Sequence, residues 1–211
     1  MKKYLGIIVV GAGAAIAAAM IWFMIHARPK PGAVVDRIAV APNVEIVIRA
    51  EQGSDRDFLE LHENGKLKWQ ALIPHYAGSP GRPAIAYGPT AVTVRVSRDG
   101  HAEVFAFSTH SAEKIGGYRI AAEHEPITTH AEGPITLTDH IRAYEIAAGS
   151  GWSQIAAIDL ASGKGQWKRE LGAAKITDGG VDASGVWLVQ DGKRRLLDPA
   201  TGADKAAGAS P

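Results

Sequence analysis

The chain of 211 residues has no cysteine. That excludes disulfide staples, thiolate zinc sites, iron–sulfur clusters, c-type haem attachment, a cysteine nucleophile and a lipidated N-terminal cysteine. An excess of one charge is missing too. The 23 Lys+Arg and 22 Asp+Glu leave a formal net charge of +1, and no basic run marks a nucleic-acid surface, so nucleic acid is not an expected partner. Signatures of chemistry are equally scarce. No serine stands in a G-x-S-x-G elbow, because Gly149-Ser150-Gly151-Trp152-Ser153 reads as a hairpin tip. The eight histidines form no H-x-H or H-E-x-x-H pair, and Glu123-His124-Glu125 and Asp139-His140 read as solvated loop residues. Ser54-Asp55-Arg56-Asp57 lacks the glycine and distal glutamate of a calcium loop and reads as an exposed turn. The expectation is no catalytic residue, no metal ligand and no cofactor.

What the chain does have is one long apolar run. Tyr4 to Ile25 is uncharged, and as a helix it would span about 33 Å, enough for a hydrocarbon core of about 30 Å. Lys2 and Lys3 precede it, His26, Arg28 and Lys30 follow, and Tyr4 and Trp22 lie near its ends. A cleavable signal peptide is the main competitor. Ala17-Ala18-Ala19 has the small residues of a cleavage site, but Ile21 to Ile25 carries the apolar run beyond it. Ile8 to Ala15 also resembles a dinucleotide-binding turn, yet Ile16 stands where the third glycine belongs and no polar helix face follows. Residues 1–26 are therefore expected to form a transmembrane signal-anchor, contacting the bilayer through 4–25. Flanking charges nearly tie, and the short N-terminal flank favours a bacterial inner-membrane anchor with the rest of the chain periplasmic. Gly11, Ala15 and Ala19 form a small-xxx-small stripe that could bring two helices together, although alanine-rich spans produce such stripes by chance.

Residues 27–42 begin with the Pro-rich ARPKPG and read as an extended linker that could contribute a closing strand. From Val44 onward, near-alternating apolar runs are separated by Asn64-Gly65, Asp99-Gly100, Ser162-Gly163, Asp191-Gly192 and Thr201-Gly202. Four segments superpose, with turns near 65, 111, 163 and 202. A spacing of roughly 40–50 residues is the length of one four-stranded propeller blade, whereas a β-sandwich has no reason to repeat at this interval.

Ile158-Asp159-Leu160-Ala161-Ser162-Gly163-Lys164-Gly165-Gln166-Trp167 resembles the tryptophan-docking repeat of PQQ-like (quinoprotein-type) β-propellers. Leu61 to Trp69 is a looser copy, and Leu197 to Gly202 copies the first half. The resemblance implies that Gly65, Trp69, Asp159, Gly163, Trp167, Asp198 and Gly202 are structural docking residues, with Ile115 in the tryptophan's place in the second repeat. It covers about 170 residues at repeat level, counting the segments aligned above. The acidic calcium site and adjacent cysteines of the dehydrogenases in that family have no counterpart here, so the comparison points to its non-enzymatic members.

The expected fold is all-β, a small or partial propeller of about four blades over 43–203, after one transmembrane helix and before a flexible tail, 204–211. Whether residues 34–40 close the ring or leave an open arc stays undecided, and an open sheet edge or the helix could support a homo-oligomer. The expected function is a membrane-anchored, non-catalytic scaffold binding other envelope proteins. The alternative is an accessory subunit of a membrane redox or transport complex whose active site lies in a partner chain.

Overall fold

The computed structural model describes residues 28–127 and 133–205, together with Met20. The expected membrane span, with Gly11, Ala15 and Ala19, thus lies outside the described residues apart from Met20. Among the described residues no helix is long and apolar enough to cross a membrane.

Alternating apolar strands and tight turns build four antiparallel meanders in succession. The first sheet contains β1 (Pro31–Ala41), β2 (Val44–Glu51), β3 (Asp57–Glu63) and β4 (Lys66–Ile73). The second contains β5 (Ile85–Tyr87), β6 (Ala91–Arg98), β7 (His101–Ser108) and β8 (Lys114–Ile120). The third contains β9 (Thr136–Thr138), β10 (Arg142–Gly149), β11 (Trp152–Asp159) and β12 (Gly165–Glu170). The fourth has three strands, β13 (Ile176–Asp182), β14 (Gly185–Gln190) and β15 (Lys193–Leu197). Every strand pairs with its sequence neighbour, which is the blade arrangement of a β-propeller.

Two sequence expectations need correction here. Residues 34–40 do not close the fourth sheet, because β1 pairs along its length with β2 and is the first strand of the first sheet. A period-two strand carries no label for its partner, and the two-residue turn at Pro42-Asn43 makes the adjacent partner the cheapest in loop entropy. The tail does not start at 204 either. Asp204 bridges Leu197 and accepts from Arg169 and Arg195, so the ordered repeat runs through Lys205.

The sheets stack face to face in chain order. Ile46, Ile48, Leu59 and Leu61 of the first sheet pack with Val92, Val94, Val96 and Phe107 of the second. The other face of the second sheet, with Ala86, Ala102 and Val104, meets Ala143, Ala147 and Ile158 of the third. Tyr144, Ile146, Ile155 and Ala157 then meet Ile176, Val186, Leu188 and Leu197 of the fourth. The two terminal faces mix ion pairs with apolar side chains, Val47 and Phe58 on the first sheet and Trp187, Val189 and Leu196 on the fourth. On the first sheet Arg37 pairs with Glu45, and Arg49 and His62 both pair with Glu60. On the fourth sheet Arg194 pairs with Asp182. These charges are satisfied within their own sheets, and Arg194 also lies over the Trp187 ring, 5.1 Å from its centroid.

The meander gives the stack two rims. Turns β1–β2, β3–β4, β5–β6, β7–β8, β9–β10 and β11–β12 share one end, here the docking rim. The hairpin turns β2–β3, β6–β7, β10–β11 and β14–β15 lie at the other, the connector rim, with the links between sheets.

Candidate functional site

The docking rim is built from one repeated device. In the third sheet Asp159 Oδ2 accepts from the Ser162 backbone N–H at 3.0 Å, and Gly163 N–H closes the turn on Asp159 O at 2.8 Å. In the fourth sheet Asp198 Oδ1 accepts from the Thr201 N–H at 2.9 Å, and Gly202 N–H closes on Asp198 O at 2.8 Å. Gly65, Gly163 and Gly202 have φ of 73°, 67° and 69°, the left-handed region that glycine enters without strain. Against these turns sit the tryptophans. Trp69 Nε1 donates to Thr109 O at 3.2 Å, across to the β7–β8 turn of the second sheet. Trp167 Nε1 donates to Pro199 O at 3.0 Å, across to the turn of the fourth. A Cβ on Gly202 would lie 2.6 Å from Trp167 Cε3, so the glycine is also the floor on which that ring rests.

Ile115 does not take the tryptophan's place. A bulge shifts the register in each outer hairpin, so that Leu61 faces Trp69, Ala157 faces Trp167 and Ala106 faces Gly116. Ile115 occupies the bulge position shared with Lys68 and Gln166, and it is 36% exposed. Gly116 stands at the docking position because the β11–β12 turn of the third sheet comes in against bare backbone. A Cβ there would collide with the Ser162 carbonyl oxygen, and Gly163 Cα lies 3.0 Å from the same Cβ position. Gly116→Ala is therefore expected to lose about 1–3 kcal/mol, read as a lowered urea midpoint of the full-length chain in detergent. An unchanged midpoint would show that the two turns can part at no cost.

The same rim carries exposed apolar side chains on three strands or turns. Leu67 is 51% and Ile141 62% exposed, and Ile115 joins them.

At the connector rim, buried charge replaces apolar contact. Asp57, expected in an exposed turn, is buried and accepts the Tyr76 N–H on Oδ2 at 2.7 Å. Tyr76 donates its hydroxyl proton to Asp36 Oδ2 at 3.0 Å and accepts the Ala84 N–H at 3.0 Å, tying β1 to the link between the first two sheets. Burial and the neighbouring Asp36 carboxylate push its phenol up, so it stays protonated as a donor. Beside it a cleft of about 560 Å³ is lined by Asp55, Arg56, His75, Ser97, Arg98 and Asp99 among others. Its charges are largely paired: Arg56 with Glu51 at 2.8 Å, His75 with Asp57 at 3.2 Å and Arg98 with Asp99 at 3.4 Å.

Between the second and third sheets lies a fully buried ion pair. Arg95 Nη1 is 3.6 Å from Glu145 Oε2 and donates to Ile146 O at 2.6 Å and Ile135 O at 3.2 Å. Thr136 Oγ1 donates to Glu145 Oε2 at 2.9 Å, while Glu145 Oε1 is buried without a partner. Burial pushes the Glu145 carboxyl up to about 7, although Arg95 and Thr136 pull the other way.

The second cluster of titratable groups lies further out on the connector rim. A single 3-10 turn, Ala122–His124, follows β8 and brings Glu123 and His124 against β12. His124 Nε2 is 3.3 Å from Glu170 Oε1, and its ring stacks on Trp152 with centroids 4.0 Å apart and planes 3° from parallel. Lys168 Nζ lies 2.6 Å from Glu123 Oε1. Its hydrogen bond is the main reason that the Glu123 carboxyl is held down at about 2. His124 is therefore not a freely solvated loop residue. Glu123, His124 and Glu170 are the group of side chains, among the described residues, that could hold a metal ion. Sequence reading missed them because Glu170 stands far along the chain from His124, and sheet packing alone brings the two together.

No protein-family model matches the chain, and no curated protein matches it. Solved structures do. BamB from Moraxella catarrhalis aligns at 13% identity and TM-score 0.47, over 84% of this chain and 62% of its own. A europium-containing methanol dehydrogenase aligns at 15% identity and TM-score 0.44, over 68% of this chain and 26% of its own. The computationally designed Ika8 protein aligns at 15% identity and TM-score 0.52, over 82% and 48%. The chain spans less than two thirds of the length of each. At this identity the likeness is one of backbone fold.

Proposed function

We propose that this chain is a membrane-anchored, extracytoplasmic scaffold of PQQ-like β-propeller repeats that binds other envelope proteins and carries out no catalysis itself. The observation that carries the reading is the docking rim. Leu67, Ile115 and Ile141 expose apolar surface at one end of three consecutive sheets, on a frame fixed by the Trp69 and Trp167 contacts. Exposed apolar side chains on a rigid frame offer surface that a protein partner can cover.

Anchoring rests on the apolar run 4–25, and the periplasmic side is part of the same proposal. A subunit of a membrane redox or transport complex with its active site in a partner chain is the second reading, favoured by the three-stranded fourth sheet, whose edge strand β15 carries only the short Leu197–Asp204 bridge on its outer side among the described residues.

Photo-crosslinking in living cells tests the scaffold. A photoreactive residue at 67, 115 or 141 is expected to trap the same discrete partner, while one at Lys193 on the opposite rim traps none. Equal yields at both rims would sink the docking-rim assignment. A reporter fused after Pro211 is expected to be active only outside the cytoplasm, and activity inside would reverse the orientation.

A further inference from the structure

The cluster of Glu123, His124 and Glu170 plays no part in the scaffold reading. The ligand atoms that these three side chains offer lie within 4.8 Å of one another. The 3.3 Å from His124 Nε2 to Glu170 Oε1 matches the edge of a tetrahedron whose bonds to a central ion are about 2.0–2.1 Å long. Stacking on Trp152 fixes the imidazole plane, so Nε2 already faces the carboxylate.

Beneath them lies Gln154, only 1% exposed. Its amide reaches into the cluster, with Nε2 2.5 Å from Glu123 Oε1 and 2.6 Å from Glu170 Oε1. Its Oε1 is buried and has no hydrogen-bond partner. Buried amide oxygens are almost always satisfied, so this one calls for an account. Turning the amide about its last bond exchanges its two ends: the oxygen is offered to an ion held between the two carboxylates, whose charge replaces the two N–H bonds given up, and the NH2 moves to the buried place that the oxygen leaves.

We propose that Glu123, His124, Gln154 and Glu170 form a binding site for a divalent first-row transition ion of the Zn²⁺ type. The ion joins the link after the second sheet to the outer strand of the third. One imidazole nitrogen with carboxylate and amide oxygens suits Zn²⁺ better than Ca²⁺ or Mg²⁺, which take all-oxygen shells. Lys168 is the internal competitor. Its ammonium holds Glu123 Oε1 at 2.6 Å and is about half exposed, so it can swing into water when the ion enters. In a chain without cysteine, such an ion is a fastening between sheets that disulfides cannot supply.

Calorimetric titration of the full-length chain in detergent, carrying no histidine tag, tests this with ZnCl₂ and with CaCl₂ as the comparison. The wild-type chain is expected to bind one Zn²⁺, with loss of Trp152 fluorescence, and to bind no Ca²⁺. His124→Ala and Glu170→Gln are each expected to weaken Zn²⁺ about 100-fold. Lys168→Met, by removing the competing charge, is expected to tighten it about tenfold. The far-UV spectrum of each variant checks that its sheets remain, and the gain at Lys168→Met keeps the test open should His124→Ala fail to fold. Absence of Zn²⁺ uptake by the wild type, uptake that survives both ligand substitutions, or equal binding of Ca²⁺ overturns the proposal.

Discussion

Replacing Arg95 with alanine is expected to destabilise the protein by about 3–5 kcal/mol at pH 8 and by about 1 kcal/mol less at pH 5. Arg95 is the cation facing Glu145 inside the contact between the second and third sheets, and its guanidinium also satisfies the Ile135 and Ile146 carbonyls. Truncation leaves those carbonyls without a donor and the carboxylate without a counter-charge, in a place that water does not reach. The sign of the pH dependence follows from linkage. Burial raises the Glu145 carboxyl to about 7 in the folded chain, above its ordinary value of 4.5. Between those values the folded chain holds a proton that the unfolded chain has released. Stability is full below the lower value and falls as pH rises through the window. Without Arg95 the carboxyl rises further, and the decline extends to higher pH. Urea midpoints at pH 5 and pH 8 read this directly, and an equal loss at both would contradict the account. Glu145→Gln, which keeps an acceptor for Thr136 Oγ1 but cannot ionise, is expected to flatten the wild-type decline.

Trp69→Ala is expected to cost a similar amount, about 3–5 kcal/mol, by a different mechanism. Trp69 is 8% exposed and packs against Phe107 with ring centroids 6.3 Å apart, so its removal opens a cavity between the first two sheets. Trp69→Phe separates the two parts of its role. It retains much of the apolar contact but leaves the Thr109 carbonyl without the indole donor, a loss of about 1–2 kcal/mol. Far-UV circular dichroism during urea unfolding measures both without depending on the deleted fluorophore. If the phenylalanine variant loses as much as the alanine variant, the hydrogen bond and not the packing dominates the contact.

Much of this architecture can be read from the residues alone, and the places where reading stops have physical causes. The turns at Gly65, Gly163 and Gly202 are legible because a left-handed φ selects glycine. The repeat is legible because each sheet must bury the same face against its neighbour. Ile115 reads as the docking residue although it lies one position away, because a β-bulge adds a residue without leaving a mark in the side-chain pattern. The glycine that holds the place, Gly116, is the opposite chemical choice to tryptophan. Both fill the same gap, one with a ring and the other by letting a backbone approach. The partner of strand β1 is not legible, because alternation says which face is buried and nothing about the partner strand. The candidate ion site was hidden more deeply. His124 and Glu170 meet only once the second and third sheets are stacked, and the burial of Gln154 has no signature in a sequence.

The order in which the sheets touch has a consequence for how the protein comes apart. Tryptophan 69 reaches forward to the next sheet, and tryptophan 167 does the same, so stability is passed along the chain from neighbour to neighbour. A terminal sheet is held across one interface, an inner sheet across two. Amide exchange should then run as a gradient, fastest in the terminal sheets β1–β4 and β13–β15, each behind a single seam, and slowest in β6–β7 and β10–β11. Unfolding from either end would resemble a zipper, and a single melting temperature would average over its teeth.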